Sequence, residues 1–182
     1  MGELRERDSL SARALEFCIL TAARTGDVIG ARWPEIDLKA EAWTVPADRM
    51  KGGREHRIPL SDRAVEVLTA LPRLEGETHV FPRPRKGAGL SSMAMLELLR
   101  GMRPGLTVHG FRSAFKDWAS EATNHPNIVS EARWRMSSAI RWRRLTGAAS
   151  YSRSARLMRD WAAYCARPAE KGGNVVPIAR AR

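Results

Sequence analysis

Residues 108–121 read VHGFRSAFKDWASE, and this stretch decides the fold. Its apolar residues recur with the spacing of an amphipathic helix. Val108 leads the helix in, and Asn124–Pro126 breaks it. His109 and Arg112 are three residues apart, so both fall on one helical face. A planar guanidinium suits the nonbridging oxygens of a phosphate. An imidazole can hydrogen-bond or move a proton near neutral pH. A lone His-x-x-Arg is common by chance, so its meaning depends on what the rest of the chain supplies.

Working outward, SLSARALEFCILTAART (residues 9–25) reads as a helix capped by Ser9 or Ser11. Leu15, Cys18, Ile19 and Ala22 share one face, Gly26 interrupts, and Arg24 stands at the helix end. DVIGARW predicts a short second helix ending before Pro34. AWTVP (42–46) and EHRIPL (55–60) predict short strands around ADRMKGGR, a turn with paired glycines that carries Lys51. Ser61 caps a helix over DRAVEVLTALP, HVFP is a brief extended piece, and SSMAMLELLRGM is a helix with a methionine-leucine face. RDWAAYCA, after Met158, has helical spacing again. The pattern predicts a mainly α protein with a small antiparallel β-hairpin, that is, an α+β architecture.

The chain has 182 residues, 43% apolar and 28% charged, which suits one domain with a real core. No apolar run approaches the roughly 18–20 residues of a membrane span. The start has no apolar signal core, so a cytoplasmic protein is expected. Two cysteines, Cys18 and Cys165, make no disulfide framework, and Cys18 reads as a small core residue. The formal charge of +11 points to an anionic partner such as nucleic acid.

Arg24, Lys51, His109 and Arg112 each have a bland reading: a solvated helix end, an ordinary turn lysine, a chance pair. Taken together they suit phosphoryl transfer without a metal or other cofactor. The arginines and histidine would hold the phosphate, and a lysine on a hairpin could protonate a leaving oxygen. That set lacks a nucleophile.

TAARTGDVIGARW, MKGGREHRIPLS and HGFRSAFKDWASE resemble, in order and spacing, the three conserved patches of the tyrosine recombinase (phage-type integrase) catalytic domain. The resemblance runs from about Leu4 to Ile128 and resumes over Arg156–Ala166. It implies that fold for residues 1–167, with 168–182 a loose tail. It also implies site-specific cleavage and rejoining of double-stranded DNA, with oligomers assembled on the recombination sites. Arg24 is similar to the first catalytic arginine, and Asp27 to a supporting acid. Lys51 corresponds to the lysine that protonates the leaving 5′-hydroxyl, and His109 and Arg112 to the H-x-x-R box. His56 and Arg57 follow the turn and are expected to support the hairpin or touch backbone phosphate. Family integrases usually carry an N-terminal DNA-binding portion, so the chain reads as a truncated piece.

The pattern breaks after HGFR. The family expects a second histidine or tryptophan and then a nucleophilic tyrosine; those positions fall at Met136 and Thr146. They lie in EARWRMSSAIRWRRLTGAASYSRSARLM (131–158), which has seven arginines, two tryptophans and no acid after Glu131. Most of the net charge resides there. Read one base earlier, synonymous codons for this stretch can encode ALAHVVSDKVEAAYRRGELFEK, which has both missing motifs at family spacing. A one-base deletion near Ala132, compensated near Ser154–Arg156, would make 132–155 an aberrant segment. The alternative is a native basic arm that binds DNA backbone. Tyr151 is the only tyrosine nearby and the fallback nucleophile, though it sits five residues late and on no clear helical pattern. An integrase with impaired activity and a catalytically inactive DNA-binding remnant are the two functional readings.

Overall fold

A computed structural model describes residues 1–50, 53–83, 87–125 and 148–168. Lys51, Met136, Thr146 and the tail beyond Pro168 lie outside the described residues. The fold is built around one helix, α2 (Leu10–Thr21), following a short α1 (Gly2–Arg5). Ser9 caps α2 by accepting from Ala12 N at 3.2 Å. Sequence periodicity predicts one apolar face, yet Ala12 and all of Ala14–Thr21 are buried. The reason is tertiary: α1, α3 (Thr25–Ile29), α4 (Asp62–Thr69), α5 (Ala94–Met102), α6 (Val108–Glu121) and α7 (Ala148–Ala166) all contact it. Glu16 is part of this buried surface and is neutralised by arginines from around the helix.

A three-stranded antiparallel sheet, β1 (Ile36–Asp37), β2 (Ala42–Val45) and β3 (His56–Pro59), lies in that order. Trp43 pairs with Ile58, and Val45 with His56. The two expected strands are present; β1 is too short for its period to show in the sequence. Trp43 and Phe17 are both fully buried, with ring centroids 5.4 Å apart, and Phe81 stands 5.6 Å beyond Phe17. Such ring contacts add about 0.5–1.5 kcal/mol each beyond the area they bury. They join sheet to helix.

α6 carries its buried residues at Val108, Arg112, Phe115 and Ala119, a helical stripe with a guanidinium where an aliphatic chain would be ordinary. Thr107 caps it through Gly110 N at 3.1 Å. α7 packs Leu157, Met158, Trp161 and Ala162 inward. It begins at Ala148, eleven residues before the RDWAAYCA pattern, so Tyr151 lies on a helix, contrary to the sequence reading. Among the described residues no helix is long and apolar enough to cross a membrane.

Candidate active site

The C-terminal end of α2 is where the candidate residues meet. Ala22 takes a left-handed conformation (φ 47°, ψ 31°) and closes the helix through Ala22 N to Ile19 O at 3.1 Å. A residue with a Cβ resists that conformation by about 1–2 kcal/mol, so tertiary contacts must hold it. Two do. The Trp161 indole N–H donates to Ile19 O at 2.8 Å, and Arg112 Nη1 donates to Ala22 O. The break at Ala22–Arg24 corrects the sequence reading. Arg24 does not end the first helix; it is the N-cap of α3 (φ −80°, ψ 150°), and Gly26 lies inside α3 rather than interrupting a helix.

Arg112 is 8% exposed and is a buried cation in the middle of the molecule. Burial first, and then the nearby charge of Arg24, lower its pKa from the ordinary guanidinium value. Asp27, in the first turn of α3, opposes that shift. Arg24, Asp27 and Arg112 therefore share one electrostatic site, although Arg112 is 88 residues from Arg24 in sequence. Behind them, burial pushes the Cys18 thiol up to about 12, with Arg112 pulling the other way, so it stays protonated at neutral pH. Two guanidinium groups against one carboxylate leave net positive charge, with donors suited to a phosphate. His109 lies one turn before Arg112 on α6 and is exposed.

Tyr151 takes different surroundings. Its hydroxyl donates to Glu41 O at 3.4 Å, and its ring lies under Arg57, 4.5 Å from ring centroid to guanidinium carbon. Glu41 precedes β2, at the end of the sheet away from the 46–55 connection. Arg57 thus packs on Tyr151, while His56 is buried on β3. Among the described residues there is no group of three or more His, Cys, Asp and Glu that could hold a metal ion.

A family model described as the phage integrase family matches residues 3–132. The chain belongs to the phage integrase family. Prophage integrase IntA of Escherichia coli K12 is 31% identical over 173 residues, covering 92% of this chain and 42% of that protein. Tyrosine recombinase XerC of Xanthomonas campestris is 29% identical over 126 residues, covering 64% and 38%. The chain spans about two-fifths of the length of these curated relatives. The integrase from mycobacterium phage Brujita has the same fold, with a TM-score of 0.66 at 18% identity over 93% of this chain and 58% of that one. A XerA recombinase crystal structure follows with a TM-score of 0.52 at 14% identity, covering 90% and 64%. The expected mainly α family fold with a small antiparallel sheet is thus the observed one.

Sequence reasoning missed Arg49 and Glu35. One Arg49 guanidinium nitrogen pairs with Glu35 Oε1 and the other donates to Asp27 O at 2.7 Å. The second Glu35 oxygen accepts from Trp43 Nε1 at 3.0 Å. Read as text, an arginine and a glutamate fourteen residues apart look like two solvated charges. The available signal was the place of Arg49, two residues before Lys51.

Proposed function

We propose that residues 1–167 are the catalytic domain of a site-specific integrase that cleaves and rejoins double-stranded DNA, with 168–182 a tail. The observation that carries this is the convergence of Arg112, Arg24 and Asp27 at the end of α2. In this reading Arg24 and Arg112 hold the nonbridging oxygens of the scissile phosphate and stabilise the charge of the pentacoordinate transition state. His109 hydrogen-bonds the same group. Lys51 gives a proton to the departing 5′-oxygen. The nucleophile in the family is a tyrosine oxygen, which forms a 3′-phosphotyrosine; a 5′-hydroxyl reverses the step. Bond energy is conserved, so no nucleotide cofactor is required. The DNA is an attachment-type recombination site, and copies of the chain assemble on paired sites.

The position for that tyrosine is Thr146, and for the second histidine Met136. Attack is therefore impaired in this chain, and a second reading applies: a catalytically inactive DNA-binding remnant. Two observations favour it. The Tyr151 hydroxyl and ring are engaged by Glu41 and Arg57. The family match also runs to residue 132, where the shifted frame is placed. Sequencing the gene tests the frame directly: codons unable to encode the two motifs one base earlier would refute it. A nicked suicide duplex of the recombination site separates the two functional readings. A covalent protein–DNA adduct supports the enzyme. Binding without adduct, weakening steeply with salt at about 0.9 log units per log unit for each phosphate contacted, supports the remnant. Neither at low salt overturns both.

A further inference from the structure

The end of α2 is held by a side chain that the phosphate reading does not use. Ile19 O accepts from Ala22 N at 3.1 Å and from the Trp161 indole N–H at 2.8 Å. Ala22 O accepts from Arg112. Trp161 comes from α7 and is 3% exposed. Its ring also meets α6, with the Phe115 centroid 5.3 Å away edge-on and the Trp118 centroid 5.1 Å away. Phe115 follows Arg112 by three residues on the buried stripe of α6. One side chain thus grips both elements whose crossing brings Arg112 to Arg24: α2 by a hydrogen bond and α6 by ring contact.

We propose that Trp161 is a positioning residue for the phosphate site, acting by locking the left-handed cap at Ala22. The inference rests on the phosphate-binding reading given above. Ala22 has φ 47°, a region that a Cβ disfavours. A rotation there moves Arg24, two residues on, and swings the Ala22 carbonyl away from Arg112. Both guanidinium groups of the site therefore depend on one unfavourable backbone conformation. A buried indole needs an acceptor in any case. What is specific here is that the acceptor is the carbonyl that closes α2. Phenylalanine would fill the same space and meet the same rings but has no donor.

Phenylglyoxal tests this on the whole chain without requiring cleavage. It condenses with guanidinium groups, and peptide mapping follows half-buried Arg24 against exposed Arg100 on α5 as the internal standard. Inorganic phosphate is the probe, and the concentration that halves the Arg24/Arg100 rate ratio reads its affinity. Trp161→Phe should raise that concentration about fivefold, the worth of one hydrogen bond. Ala22→Gly removes the Cβ that resists the cap conformation. In the Ala22→Gly background, Trp161→Phe should therefore raise the concentration by less than about twofold, the ordinary scatter of independent sites. Val67→Ala truncates the buried face of α4, should lower Tm and should leave the phosphate concentration unchanged. If Trp161→Phe folds with unchanged phosphate protection, or if its loss persists in the Ala22→Gly background, Trp161 only packs and the proposal fails while the phosphate site stands. If Trp161→Phe does not fold alone, the double variant decides: it should fold and match Ala22→Gly, and an unfolded double variant overturns the proposal. If phosphate does not protect Arg24 in the unsubstituted protein, the phosphate reading fails and takes this proposal with it.

Discussion

Replacing Glu16 by glutamine should destabilise the fold by about 2–3 kcal/mol. The carboxylate has no exposure and sits mid-way along the central helix. Oε1 accepts from Arg5 Nε at 2.8 Å and from Arg63 Nε at 2.9 Å. Oε2 accepts from Arg63 Nη2 at 3.2 Å and from Arg13 Nη1 at 3.5 Å. One residue thus ties α1 and α4 to α2. Glutamine keeps one acceptor but turns an N–H group toward a guanidinium and removes the charge. Breaking a buried pair from one side costs roughly 3–5 kcal/mol. The arginine side chains are 24–33% exposed and can rehydrate, which trims the figure. At about 2–4 °C per kcal/mol for a chain of this size, Tm falls by roughly 4–12 °C. Urea unfolding should show a lower midpoint at unchanged slope. The effect also has a pH signature. Burial raises the Glu16 pKa, but hydrogen bonds from Arg63 and Arg5 outweigh it, so the folded value lies below 4.5. A depressed carboxylate contributes fully above its unfolded pKa and loses that contribution as pH falls through the folded one. The gap between the original protein and Glu16→Gln should therefore be constant above pH 4.5 and close below it. A gap under about 0.5 kcal/mol at neutral pH, or one that persists in acid, would rule out this role for the Glu16 carboxylate.

Two further substitutions probe the site. Gly89 packs on α3: a Cβ there would lie 1.9 Å from Ile29 O. Gly89→Ala should cost about 1–3 kcal/mol by overpacking and, by displacing α3 with Arg24 and Asp27, should weaken phosphate binding; calorimetry and phosphate protection of Arg24 read the two effects. Tyr151→Phe removes the long bond to Glu41 O and should leave stability within about 1 kcal/mol and the nicked-duplex result unchanged. Loss of an adduct in Tyr151→Phe would instead make Tyr151 the nucleophile.

Much of the architecture was legible because it is local. The Ser9 and Ser61 caps, the 42–45 and 56–59 strands and the α6 periodicity are each set by a few neighbouring residues. The limits were tertiary. Gly26 reads as a breaker, yet the chain breaks at Ala22, whose left-handed conformation is held by Arg112 and Trp161 from α6 and α7. No local signal in TAARTG conveys that. Arg112 was legible as chemistry but not as a buried stripe residue. Its burial follows from where α6 crosses the end of α2. Arg49 was illegible because its partners lie on two other elements. The charge of residues 131–158 was the loudest feature in the sequence and tells least about the site. Tyr151 packs on Arg57, and Arg159, just beyond that stretch, lies 3.9 Å from Glu41.

In the proposed function, Arg24 and Arg112 form a phosphate site at the end of α2. A crystal structure of the chain bound to a short DNA duplex tests it most directly. A backbone phosphate should lie with nonbridging oxygens about 2.7–2.9 Å from both guanidinium groups, with Arg112 still bonded to Ala22 O. DNA seated on another face, with no phosphate near Arg24 and Arg112, would contradict it.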